Sequence, residues 1–295
     1  MPGIYFYKKF SGLSLQKIFD DCGFAVSSYE AVHGGDINDA YCLHASGKRY
    51  FLKVNDAACY PMMFAKEAGG LKILHQNFSL TVPQVIHFGQ TDGKQYLLLE
   101  WIDRGIPKKD FWEKFGEVLA MMHKHPQPYF GFSEDNYIGS LPQQNTAHDS
   151  WHSFFSVCRV MPLAKKLFDY GAFSKADIAA AERFCIKTEQ LFPAETPALL
   201  HGDLWAGNYM VAADGYAAIY DPAVYFGHRE MDIGMTKLFG GFDQQFYYSY
   251  NEHYPLQPHW QQRLPLTQLY PLLVHACLFG GHYISSAREI IRQYS

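Results

Sequence analysis

Near residue 102 the hydrophobic pattern of this 295-residue chain changes its period, and that change limits the fold more than any other feature. Before it, short apolar runs flank turn residues. Tyr41–Ala45 and Tyr50–Val54 enclose Ser46-Gly47-Lys48, and Val85–Phe88 and Tyr96–Trp101 enclose Thr91-Asp92-Gly93-Lys94; both patterns predict hairpins. Between them Met63, Ala65, Glu67, Leu71 and Leu74 carry helical spacing over Met62 to Gln76, weakened by Gly69-Gly70. After Ile102 helical spacing dominates. Asp110 with Glu113 predicts a capping-box start for a helix carrying Phe111, Phe115, Val118, Leu119 and Met122. Ser174 with Asp177 opens another, ending near Leu191 ahead of Pro193. Short strands at Tyr209–Val211 and Tyr216–Tyr220 join through Asp214-Gly215, and everything beyond Asp232 reads as helical and aromatic. The expectation is an α+β chain in two parts. A small antiparallel-sheet lobe occupies residues 1–102, and a larger, mainly helical lobe occupies 103–295.

Composition excludes several functions. A net charge of −4 gives no electrostatic footprint for nucleic acid. The longest apolar stretch, around Leu269 to Tyr283, is broken by Pro271, His275 and two glycines, so no membrane span is expected. The six cysteines include no C-x-x-C pair, and buried free thiols are the simplest reading. The first ten residues lack the layout of a secretory signal, which makes a cytoplasmic protein the default. Nothing points to an assembly, and a monomer is the favoured state.

The chemistry concentrates in His201-Gly-Asp-Leu-Trp-Ala-Gly-Asn208, followed after a hairpin by Asp221-Pro. An Asp five residues before an Asn, on a loop between strands, is the layout of a kinase catalytic loop. Asp203 is placed to take a hydroxyl proton as that oxygen attacks a γ-phosphate. Asn208 offers a neutral oxygen to Mg²⁺, and Asp221 an anionic one; few hard oxygen ligands, completed by phosphate and water, suit this ion. Read alone, each residue would more simply cap a turn. Their joint spacing is what points to phosphoryl transfer.

Two residues of the first part stand in the matching order. Lys53 closes a strand and Glu67 lies on the next helix, the arrangement of an ion pair that presents a Lys to ATP phosphates. Without that order each is an ordinary solvated charge. Gly34 and Gly35 bring backbone N–H groups towards phosphate, though a glycine pair before a strand is commonly only a turn. Glu100, Trp101 and Ile102 read as a hinge whose backbone would meet adenine.

Together Gly34-Gly-Asp-Ile-Asn38, Leu98-Leu-Glu-Trp-Ile102, the 201–208 loop, Asp221-Pro-Ala and Arg229-Glu-Met-Asp-Ile233 resemble the fructosamine kinase (ketosamine-3-kinase) family, from about residue 15 to near the C-terminus. Trp205 within the loop is the most specific element. Trp260, Arg263, Leu269-Tyr270 and Phe279-Gly280 agree with it. The resemblance implies a protein-kinase-like fold, ATP and Mg²⁺. It also implies phosphorylation of the 3-hydroxyl of a ketosamine, small or protein-bound and derived from ribulose or fructose, after which the amine is freed. Aminoglycoside or choline phosphotransferases share the core motif and remain the alternative. Asp36 stands where some relatives carry a cysteine, which argues against a disulfide-linked dimer through that loop, and its carboxylate is expected to point outward.

Trp205, between Asp203 and Asn208, offers an aromatic face to a sugar and is expected at the substrate. Other polar residues read as structural. His148 and His152 are four apart but lack the accompanying Glu of a metal helix, and suit a surface or capping role. His123 and His125 suit the carbonyl end of a helix, and Arg159 an ordinary surface position.

Overall fold

The computed structural model describes residues 12–23, 25–32, 37–77 and 80–295. Two compact units emerge: residues up to Lys72 with Pro83–Ile102, and Ile73–Val82 with Asp103–Ser295.

In the first unit the turns Ser46-Gly47 and Asp92-Gly93 have positive φ at both residues, the hairpin geometry whose twist matches that of the strands. They close β2 (Asp39–Ala45) on β3 (Lys48–Asp56), and β4 (Val85–Thr91) on β5 (Lys94–Glu100). With β1 (Val26–Val32) these form one antiparallel sheet of order β1-β2-β3-β5-β4. Alternation gives the sheet two chemically distinct faces. Tyr41, Leu43, Leu52, Val54, Tyr96 and Leu98 are buried with Leu15, Ile18 and Phe19 of α1 (Gly12–Cys22). The opposite parity of β3 carries Lys53, which meets α2 (Met63–Asn77). That helix runs through Gly69-Gly70 because Phe64, Ala68, Leu71 and Leu74 bury its apolar side.

The second unit is helical around short two-stranded ribbons. It contains α3 (Phe111–His123), β6 (Asn136–Ile138), β7 (Leu141–Gln143) and α4 (Trp151–Phe154), which continues as a π-helical turn (Phe155–Val160) into α5 (Met161–Asp169). Next come α6 (Lys175–Leu191), β8 (Ala198–Leu200), β9 (Tyr209–Val211), β10 (Ala217–Ile219) and β11 (Tyr225–Gly227). The chain ends in α7 (Glu230–Leu238), α8 (Gln244–His253), α9 (Leu264–Phe279) and α10 (His282–Tyr294). Ser174 and Asp177 cap α6 reciprocally, as the spacing predicts. Ile219 N donates to Thr81 O at 3.0 Å, which ties the segment around Leu80 and Val82 to this unit.

Several expectations need correction. Asp110 makes no side-chain cap to α3: its Oδ2 accepts from Tyr216 OH at 3.5 Å, and Glu113 accepts from Gln245 of α8. Arg159 is fully buried: its guanidinium lies over Phe154, Tyr225 and Tyr270 and donates to Gln144 O and Asn145 Oδ1. His123 is buried too. His148 and His152 are half-buried rather than at the surface, bonded to Ser153 and Thr188 respectively. The six cysteines are outside disulfides; Cys42, Cys158 and Cys185 are buried, but Cys22 and Cys277 are half-buried and Cys59 is exposed. No helix among the described residues is long and apolar enough to cross a membrane.

Candidate active site

β8 delivers the chain to His201, and the loop from His201 to Asn208 runs on into β9. Its first turn is pressed against the segment after β10. His201 O accepts from Ala223 N at 2.9 Å, and Gly202 sits at φ 83°, where a Cβ would lie 2.0 Å from Ala223 O. Only glycine tolerates both the left-handed backbone and that approach. Gly202→Ala is therefore expected to destabilise the protein by at least about 2 kcal/mol. A urea midpoint lowered without a change in slope would show it; an unchanged midpoint would refute the packing argument.

The loop is organised from within. Asn208 Nδ2 donates to Asp203 O at 2.8 Å and to Asp203 Oδ2 at 3.0 Å. His201 is buried and stays neutral, since burial pushes its pKa down. Its Nε2–H donates to Tyr220 O, while Nδ1 accepts from Asp203 N. Asp203 is half-buried in accessible surface, yet the surrounding protein strips water from its carboxylate and pushes its pKa up to about 7. The Asn208 hydrogen bond opposes this, and the charges of Asp221 and Asp232 add to it. Asp221 is exposed, with φ 56°. An aspartate held in this left-handed region is a strained placement, of the kind found at functional sites.

Asp232 of α7 is the residue the sequence left without a role. Its buried carboxylate accepts from His201 N at 2.8 Å and Gly202 N at 3.0 Å. It also meets His123 Nε2 at 3.2 Å, and the other ring nitrogen of His123 contacts Tyr250 OH at 2.8 Å. These contacts fix the entry of the loop to the helical core. The only sequence signal was the Arg229-to-Ile233 motif, which does not reveal what its carboxylate binds.

Trp205 is 37% exposed and crosses the edge of Phe239 at 5.6 Å; Phe239 in turn packs on His275 at 5.0 Å. A Cβ on Gly207 would fall 2.3 Å from the Trp205 ring, so the glycine makes room for the indole. The loop thus carries an accessible aromatic surface two residues from Asp203.

In the first unit Lys53 Nζ meets Glu67 Oε1 at 2.7 Å, with both side chains largely buried. Glu100 N donates to Gln84 O at 2.9 Å, so any adenine contact at that residue falls to its carbonyl. The ring of Trp101 lies 6.3 Å from that of Phe51, and Ile102 ends the unit. Gly34, Gly35 and Asp36 lie outside the described residues.

A profile of fructosamine kinases matches residues 14–295. The chain belongs to the fructosamine kinase family. A Synechocystis protein described as a probable ketoamine kinase is 38% identical over 92% of this chain and 91% of its own. A rice chloroplastic protein-ribulosamine 3-kinase is 37% identical over 91% of this chain and 79% of its own. The crystal structure of a Thermobifida fusca protein described as a fructosamine-3-kinase superposes with a TM-score of 0.84, at 35% identity over 94% and 96% of the two chains. More distantly, an aminoglycoside phosphotransferase solved with ADP and hygromycin B aligns with a TM-score of 0.62 and 16% identity over 94% and 97%. The fold is the α+β, protein-kinase-like one that the resemblance implied.

For a member of the fructosamine kinase family, the residues of the second unit that could hold a magnesium ion are those around Asp203. Asn208 and Asp221 carry hard oxygens of the kind this ion takes, and the charges of Asp221 and Asp232 add to the burial that raises Asp203. A bound cation opposes those charges.

Proposed function

We propose that this protein is an ATP- and Mg²⁺-dependent kinase that phosphorylates the 3-hydroxyl of ketosamines, small or carried on protein amines. The observation that carries this reading is the loop of Asp203, Trp205 and Asn208, in a chain whose relatives bear ketoamine and ribulosamine kinase names. Aminoglycosides and choline are the alternative acceptors. The accessible Trp205 indole, edge-on to Phe239, suits the apolar face of a sugar and favours the ketosamine reading.

In this reading Asp203 receives the proton of the acceptor hydroxyl while that oxygen bonds to the γ-phosphorus; the bond from phosphorus to the β,γ-bridging oxygen breaks and ADP leaves. Lys53, held by Glu67, is assigned to the ATP phosphates, and the backbone at Glu100, Trp101 and Ile102 to adenine. Gly34 and Gly35 are assigned to the phosphates on sequence alone. Asn208 and Asp221 hold Mg²⁺, which when bound neutralises charge on the transferring phosphate. Trp205 positions the sugar. Phosphate on C3, beside the C2 carbonyl, is expelled after enolisation towards C1; hydrolysis then frees the amine and a dicarbonyl fragment. The reading fits a cytoplasmic enzyme drawing on the ATP of that compartment.

An ADP-release assay across ketosamines, free sugars, aminoglycosides and choline tests the proposal. Turnover confined to ketosamines is expected. Brisk turnover of an aminoglycoside or choline, with none on any ketosamine, would overturn the acceptor assignment.

A further inference from the structure

Away from the residues assigned above, the first unit carries a mixed set of metal-binding side chains. Glu30 of β1 stands opposite Cys42 of β2 in the antiparallel register, and His44 follows two residues along β2 on the same face. One ligand atom from each, carboxylate oxygen, Sγ and imidazole nitrogen, lies within 4.8 Å of the other two. The Cys42 Sγ to His44 Nε2 distance is 3.9 Å. In a tetrahedral zinc site with bonds of about 2.3 Å to sulfur and 2.0 Å to nitrogen, those two atoms stand about 3.5 Å apart. Side-chain rotation of a few tenths of an ångström closes the difference. Cys42 is buried, His44 half-buried and Glu30 exposed, so the cluster is anchored at one end and open to solvent at the other.

Arg49, opposite His44 on β3, lies over the Trp101 ring at 5.3 Å. A second group of possible ligands, Glu195, His228 and Glu230, is not equivalent. There both carboxylates are held in two-point ion pairs, by Arg229 and Arg263.

We propose that Glu30, Cys42 and His44 form a site for a zinc-class divalent transition metal, with three protein ligands and one solvent position. Thiolate and imidazole select such an ion over Mg²⁺, which separates this site from the oxygen ligands Asn208 and Asp221. Binding releases the Cys42 proton and joins β1 to β2, the strands on either side of residues 33–38 in the chain.

Cobalt(II), titrated into the full-length protein in excess Mg²⁺, gives a readout independent of kinase activity. One equivalent is expected to produce a thiolate-to-cobalt charge-transfer band that zinc then displaces. The band should vanish in Cys42→Ser and persist in Cys59→Ser, which removes the exposed thiol. Glu30→Gln, altered only on an exposed side chain, should bind about tenfold more weakly or worse. Should Cys42→Ser fail to fold, Glu30→Gln still decides the matter, and affinity equal to the parent's overturns the proposal. So does a band that is absent from the parent protein or survives in a folded Cys42→Ser.

Discussion

Asp203→Asn is expected to lower turnover by about 10²–10⁴-fold, the usual worth of a positioned general base, with nucleotide affinity largely retained. The amide keeps the shape of the side chain and a hydrogen-bond acceptor for Asn208 Nδ2, but it cannot take the hydroxyl proton. The pH profile carries the same signature. A carboxyl whose pKa is raised to about 7 is protonated below that pH and ionised above it, and only the ionised form serves as a base. In the parent enzyme, kcat/KM for the acceptor should therefore fall as pH drops through about 7, and a cation bound beside Asp203 draws that limb to lower pH. The residual activity of Asp203→Asn should lack the limb. Near-parental turnover in this variant would remove Asp203 from the role of base.

The second large effect belongs to Asp221→Ala. This exposed carboxylate, held at φ 56°, is the anionic member of the assigned magnesium pair. Its loss should abolish transfer and weaken Mg²⁺-dependent ATP binding, whereas metal-free nucleotide binding should change little. Titrating Mg²⁺ against both activity and nucleotide affinity separates the two. An unchanged metal requirement in the variant would reassign Asp221. Alanine at φ 56° carries the roughly 1–2 kcal/mol cost of a left-handed backbone, so the variant's urea midpoint is measured alongside its activity.

The features legible in the sequence are those whose cause is local. Two-residue turns with alternating flanks announce the β2–β3 and β4–β5 hairpins, and Ser174 with Asp177 announces α6, because every partner lies within a few residues. The loop from His201 to Asn208 was legible for the same reason, since Asn208 reaches Asp203 across only five residues. Asp232 was not, as it acts on backbone amides 30 and 31 residues away, which leave no side-chain signature. Arg159 was misread because the rings around it come from Phe154, Tyr225 and Tyr270, and Tyr225 and Tyr270 lie far along the chain. Asp110 and Glu113 have capping-box spacing, but Gln245 of a distant helix claims the glutamate. In each of these three cases a partner distant in the chain decides the outcome.

The central claim is transfer to the 3-hydroxyl of a ketosamine, and locating the transferred phosphate tests it most directly. Enzyme, ATP and Mg²⁺ are incubated with ribulosyl-lysine or fructosyl-lysine, and the product is followed by phosphorus NMR with coupling to the sugar protons. The expected result is a single phosphate ester on C3, which decays without enzyme as inorganic phosphate and free lysine appear together. A stable ester on any other hydroxyl would contradict the account.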